Sequence, residues 1–117
     1  MFSLEFYTLA NGKKPVEDFI MSLEPKMQVK ALDSLVILEE RGNTLREPYS
    51  KAVKGSDGLF ELRIKFSSDI TRIFYFFCTG RKIIATNGFV KKDNKTPRAE
   101  IGLAMKYKAD YERRFPK

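Results

Sequence analysis

Between Leu59 and Phe77 the chain reads LFELRIKFSSDITRIFYFF, two strand-like runs around a short polar turn: a β-hairpin with charges set on an apolar background. Phe60, Leu62, Ile64 and Phe66 alternate with Glu61, Arg63 and Lys65, the period of a strand with one buried face. The returning run, Ile70 to Cys78, is apolar at nearly every position apart from Arg72. The parity of the turn decides where that arginine goes. An even loop after Phe66, pairing Phe66 with Asp69 or with Thr71, returns Arg72 to the side of Glu61, Arg63 and Lys65; an odd loop turns it into the apolar face. An unpaired arginine among phenylalanines is costly, so the even loop is expected. The polar face is then either a solvated surface or a site for a polyanion.

Such a hairpin needs a body to pack on. At 117 residues, 43% hydrophobic and 13% aromatic, the chain reads as one domain spanning 1–117, able to build a core without disulfides or a structural metal. Lys and Arg outnumber Asp and Glu by 22 to 15, a net charge of +7 that suits an acidic partner such as nucleic acid, although a merely soluble basic protein has the same balance. Histidine is absent, which removes Ser-His-Asp triads, histidine acid-base pairs and histidine metal sites. Catalysis falls to Lys, Arg, Glu, Asp, Tyr or a hydroxyl. The single cysteine, Cys78, allows neither an internal disulfide nor a thiolate zinc cluster, and its apolar setting marks a small buried hydrophobe. No metal and no cofactor are expected. MFSLEFY at the N-terminus lacks the basic start and long apolar run of a signal peptide, and no segment approaches a membrane span, so a cytoplasmic protein without a membrane partner is expected.

Phe2 to Tyr7 is alternating and aromatic-rich, a short strand ended by the Asn11-Gly12 turn. Lys13 to Leu23 reads as a helix with Pro15 at its first position and Glu17 and Asp18 where the helix dipole favours negative charge. Pro25 restarts the helical pattern, with Met27, Ala31, Leu35 and Leu38 on one face, Leu32 and Val36 beside them, and Gly42 as the stop. Asn43 to Gly58 is loop-like, with Lys51 and Lys54 exposed: a solvated connector or a binding surface. Beyond the hairpin, Thr79-Gly80-Arg81 turns the chain into another strand, Lys82 to Val90. Thr96 reads as a hydroxyl N-cap and Pro97 as the first residue of a last helix, with Glu100 serving its dipole. Ile101, Ala104, Met105, Tyr111 and Phe115 form that helix's apolar side, and Lys106, Lys108, Arg113 and Arg114 its polar side. The expected fold is α+β: an antiparallel sheet made of the N-terminal strand and a three-strand meander, packed on one face by the N-terminal helix hairpin, with a C-terminal helix whose apolar side is core.

On the even loop, Arg72 joins Glu61, Arg63 and Lys65, and Lys91 and Lys92 at the end of the next strand flank them: four or five cations around one carboxylate. Such a cluster suits a phosphodiester. Guanidinium forks bind phosphate oxygens bidentately and stabilise the extra charge of a pentacoordinate transition state. In RNA the neighbouring 2′-hydroxyl is a built-in nucleophile, so cleavage needs a base, a charge stabiliser and an acid for the leaving oxygen, and no metal. A lysine crowded by arginines, or Glu61, is the candidate base.

Taken together, Phe-Glu-Leu-Arg at 60 to 63, Thr-Arg-Ile-Phe-Tyr at 71 to 75, Gly-Phe-Val-Lys-Lys at 88 to 92, Lys-Thr-Pro at 95 to 97 with Glu100 and Ala104, and Asn-Gly-Lys-Lys-Pro-Val at 11 to 16 form an ordered set. This set resembles the phage-derived HigB-like branch of the RelE/ParE toxin superfamily, over almost the whole chain. The resemblance implies a RelE-like sheet and a RelE-like toxin of a toxin-antitoxin pair, a ribosome-dependent endoribonuclease that enters the ribosomal A site and cuts mRNA, with a helix-turn-helix, HigA-like antitoxin as cognate partner. It implies that Arg72 binds the phosphate and its transition state, that Arg63 is the basic residue of the preceding strand, and that Lys91 and Lys92 close the last strand. Glu61 stands where some members are basic. With Lys51, Lys54, Lys65 and Lys95 as RNA contacts, these are the expected site residues. The late tyrosine that RelE uses has no clear counterpart, since Thr96 to Glu100 stands there. Two other functions share the fold: a ParE-like DNA gyrase inhibitor without nuclease activity, and a phage-derived nucleic-acid-binding module without catalysis.

Overall fold

Alternation in β3 (Phe60–Phe66) and the apolar run of β4 (Asp69–Cys78) become the inner strands of a five-stranded sheet in the computed structural model, which describes residues 1–91 and 96–116. The element order is β1 (Ser3–Phe6), α1 (Pro15–Met21), α2 (Pro25–Arg41), a 3-10 turn (Gly42–Thr44), β2 (Ser50–Ala52), β3, β4, β5 (Lys82–Lys91) and α3 (Arg98–Arg114). In space the strands run β1-β5-β4-β3-β2. The meander β3-β4-β5 is antiparallel, as expected from its short turns, but β1 joins the outer edge of β5 in parallel, so the sheet is mixed rather than antiparallel. A fifth strand, β2, lies inside the stretch read as loop; it pairs only Ser50–Ala52 with β3, too short to announce itself by periodicity.

The helix hairpin takes one face of the sheet, as expected, and α3 takes the opposite one, a side that its sequence does not specify. α1 and α2 cover one side, where Val16, Ile20, Met27, Ala31, Leu35 and Leu38 pack on Leu62, Ile64, Ile73 and Tyr75. α3 covers the other through Ala104, Ile101 and Tyr111 on Phe74, Phe76, Ile84 and Phe89. The reason is visible in β4: a central strand with no polar alternation is apolar on both faces and needs a cover on each. Two further expectations shift with it. Leu32 and Val36 face solvent on α2 rather than flanking its core stripe. Lys108 turns inward, buried and ion-paired with Glu112 and Asp57 at 3.0 and 3.4 Å, while Met105 and Phe115 stay exposed. Cys78 is half-buried. Among the described residues no helix is long and apolar enough to cross a membrane.

Close packing leaves no room at Gly88 of β5. A Cβ there would lie 2.5 Å from the Phe19 ring of α1 and 3.0 Å from the Arg72 carbonyl oxygen. Gly88→Ala is therefore expected to destabilise the fold by about 1–3 kcal/mol through overpacking, read from a denaturant titration; an unchanged midpoint would show that the ring moves aside freely.

The C-terminal helix is tied down at its far end by Asp110. Tyr7 Oη donates to Asp110 Oδ2 at 2.6 Å, Arg114 Nε lies 3.0 Å from the same oxygen, Arg113 pairs with Oδ1, and Arg114 also reaches the Thr8 carbonyl. The Tyr7 hydrogen bond, helped by the Arg114 and Arg113 charges, holds the Asp110 carboxyl below the usual aspartate value despite some desolvation. Burial, then Asp110, pushes Tyr7 up to about 12. A carboxyl depressed in the folded state contributes stability above its unfolded pKa and loses it as pH falls through its folded pKa. The stability difference between the parent and Asp110→Asn should thus be present at neutral pH and close as pH falls below the carboxylate range. A gap that persists in strong acid would remove Asp110 from this role.

Candidate functional site

The turn between β3 and β4 is two residues, Ser67 and Ser68, and Phe66 pairs with Asp69. This even loop sets Arg63 directly opposite Arg72. Glu61 pairs with Phe74, one step diagonal to Arg72 on the same face, and across the other edge it faces Lys51 of β2. On the β5 side Arg72 pairs with Phe89 and Ile70 with Lys91, which brings Lys91 onto this face too. One face of the sheet, beyond the end of α3, thereby collects residues from four strands.

A bulge sets the position of α3 against this face. Between Ile73 and Tyr75 the register with β5 shifts, so that Thr86 and Asn87 both stand opposite Phe74. Buried Asn87 donates through Nδ2 to the Glu100 carbonyl at 3.2 Å and approaches its carboxylate at 3.4 Å, fixing the first turn of α3. The helix starts one residue later than its sequence suggests: Pro97 is the N-cap and makes no side-chain cap. Thr96 is therefore not a cap. Its hydroxyl donates instead to Glu61 Oε2 at 3.0 Å, across 35 residues of chain, a partnership without a local sequence signal.

The result is a cleft of about 330 Å³ between β2, β3, the end of β5 and the start of α3. Lys51, Lys54, Arg63, Arg72 and Lys91 line it with Glu61, five cations against one carboxylate among the described residues, and Val53 and Ile101 give it apolar walls. Arg72 forms its floor. The residue is 1% exposed, its Nε lies 2.9 Å from Glu61 Oε1, and Nε and Nη1 make no hydrogen bond among the described residues. Burial lowers the Arg72 pKa below the usual arginine value, the Glu61 charge opposes that shift, and Arg63 adds to it. Glu61 has one oxygen on Arg72 and the other on Thr96, so it enters the cleft as the partner that orients the arginine. Arg63 is half-buried and meets solvent.

Of the residues singled out in the sequence, Glu61, Arg63, Arg72, Lys91, Lys51 and Lys54 come together here. Lys65 does not: it is exposed beside an adjoining groove along β3. Lys92 and Lys95 lie outside the described residues. Thr96 was read only as a cap, and it is the residue that sequence reasoning missed as part of the site. Among the described residues no three or more His, Cys, Asp or Glu side chains converge as for a metal ion.

Comparison with known proteins bears on the same region. No curated protein matches the chain significantly. A family model described as "Phage derived protein Gp49-like (DUF891)" matches residues 18–109, well over half of the 117 residues. Every cleft-lining residue, from Lys51 to Ile101, falls inside that match, and the chain belongs to the phage-derived Gp49-like family.

Proposed function

We propose that the protein is the toxin of a toxin-antitoxin pair and acts as a ribosome-dependent mRNA endoribonuclease in the cytoplasm. The observation that carries this reading is the buried Arg72 guanidinium at the floor of a cleft that, among the described residues, holds five cations and one carboxylate. Membership of a phage-derived, toxin-like family and the resemblance to RelE and HigB support it. The 2′-hydroxyl oxygen attacks the adjacent phosphorus, the bond to the 5′-oxygen breaks, and a 2′,3′-cyclic phosphate and a 5′-hydroxyl remain. Arg63, at the solvent side, binds the scissile phosphate, and Arg72 supplies a fixed positive charge beneath the pentacoordinate phosphorus. Glu61 and Thr96 hold Arg72 in place. Water takes the proton of the attacking 2′-hydroxyl, and a lysine ammonium of Lys51 or Lys91 delivers one to the leaving 5′-oxygen. mRNA on the ribosome is the substrate, and a helix-turn-helix antitoxin is the cognate partner.

Expression of the full chain in a bacterium, with readout of growth, mRNA ends and DNA supercoiling, tests the reading. Growth arrest with new mRNA ends at ribosome-occupied positions and unchanged supercoiling is expected. Intact mRNA with relaxed DNA would assign the protein to gyrase inhibition instead, and binding of nucleic acid with neither effect would make it a non-catalytic module.

A further inference from the structure

The cleft does not end at Arg63. Both Arg63 and Arg72 also line a second groove, of about 410 Å³, that continues along the sheet edge toward α2. It exists because ladder pairing of β2 ends at Leu62 and only the Tyr49 carbonyl follows it, on the Arg63 N–H, so that among the described residues β3 has no strand partner on that side beyond Arg63. Ile64, Ile37 and Pro48 give the groove an apolar wall, Lys30 and Lys65 rim it, and among the described residues no carboxylate lines it. Tyr49 stands in it with 63% of its surface exposed, although its backbone is pinned on both sides. Its N–H donates to the Arg46 carbonyl at 2.9 Å, and its own carbonyl accepts from the Arg63 N–H at 2.8 Å. An aromatic ring is thus presented to solvent on a fixed backbone, immediately beside the arginine that joins the two grooves.

An exposed ring on a fixed backbone is a ready stacking platform, and a groove lined by cations and, among the described residues, by no carboxylate repels basic partners and suits a polyanion. Single-stranded nucleic acid matches both features, since an unstacked base lies on an aromatic face while its phosphates meet lysines. We propose that this groove is a subsite for a nucleotide next to the one being cut, in which a base of single-stranded RNA stacks on Tyr49 and Lys65 and Lys30 meet the flanking phosphates. The proposal rests on the reading of the adjoining cleft as an RNA site.

Fluorescence anisotropy of a short labelled single-stranded oligoadenylate, titrated into the whole protein, tests it, with mRNA cutting in a translating extract measured in parallel. Tyr49→Ala should weaken binding about tenfold, and Tyr49→Phe should restore it to within about twofold of the parent. Lys30→Ala with Lys65→Ala should lower the slope of log affinity against log salt by about 1.4, the release expected for two phosphate contacts on a single strand. The exposure of Tyr49 predicts unchanged melting, so a folding defect is separable. Affinity for RNA unchanged in Tyr49→Ala overturns the subsite, and the same result with loss of binding to a co-expressed antitoxin would give the groove to a polypeptide. If Tyr49→Ala weakens RNA binding but the parent cuts no mRNA, the groove stands and the nuclease reading falls. If the parent cuts and Tyr49→Ala binds and cuts as well as the parent, the groove alone falls.

Discussion

Arg72→Ala is expected to abolish growth arrest and to lower the rate of mRNA cutting by about 100- to 1000-fold, the effect of removing one preorganised charge stabiliser from a transition state. Arg72 is 1% exposed, so its charge sits in a poorly solvated floor where Coulombic stabilisation of a dianionic phosphorane is stronger than in water. Loss of activity alone would not separate this role from a structural one, because alanine also leaves the Glu61 carboxylate without its cation. The pair Glu61→Gln with Arg72→Met settles the matter. Glutamine keeps an acceptor for the Thr96 hydroxyl and methionine fills the volume, so the double variant should melt near the parent while remaining unable to cut. A well-folded double variant that still cuts mRNA would remove Arg72 from the chemistry. Arg63→Ala, at the solvent side of the cleft, should lose cutting with little change in stability.

The largest effect on stability is expected from Glu61→Ala. Deleting one partner of a buried ion pair leaves an uncompensated charge, at a cost of about 3–5 kcal/mol. Here the Arg72 side chain is 1% exposed and that of Glu61 10%, so some water reaches the carboxylate and the loss falls toward the lower end of that range. For a domain of this size that corresponds to a drop in melting temperature on the order of 10 °C or more. Lys51→Ala, whose side chain is exposed on the opposite wall, should change stability by no more than about 0.5 kcal/mol and serves as the control. A Glu61→Ala protein that melts within a degree or two of the parent would mean that Arg72 finds water or another partner in the cleft, and that Glu61 does not hold it. Because Glu61 acts through Arg72, cutting in Glu61→Gln should fall less than in Arg72→Ala.

Much of the frame was legible residue by residue. Pro15 and Pro25 do open α1 and α2, Gly42 does close α2, and the strand boundaries lie within a residue or two of those read from alternation and turn chemistry. Gly42 is required there, with φ of +54° and the Phe2 ring where a Cβ would stand. The cation cluster was legible in the same way: period 2 puts Glu61, Arg63 and Lys65 on one side, and the cost of an unpaired arginine among phenylalanines favours an even loop, found as the two-residue turn between Phe66 and Asp69, although Arg72 is buried on that side too, paired with Glu61. Where reading failed, the deciding contact was remote. The side covered by α3, the parallel joining of β1 to β5, and the three-residue β2 all depend on partners far along the chain. Lys65 shares the periodicity of Arg63 but not its cleft, because β2 stops short of it and the sheet edge opens there.

By itself, then, the sequence determined the three helices, four of the five strands, their order and the face on which the hairpin's charges stand, since helix and strand periods, proline and glycine stops and turn parity act over a few neighbouring residues. Only the tertiary structure decided what those charges do. Glu61 became the holder of Arg72 when Thr96, 35 residues away, was brought to its second oxygen by the bulge at Thr86 and Asn87 and the docking of α3. Whether a carboxylate is a free base or a fixed counterion is set by what packs against it, and that packing is assembled from segments that no local pattern connects.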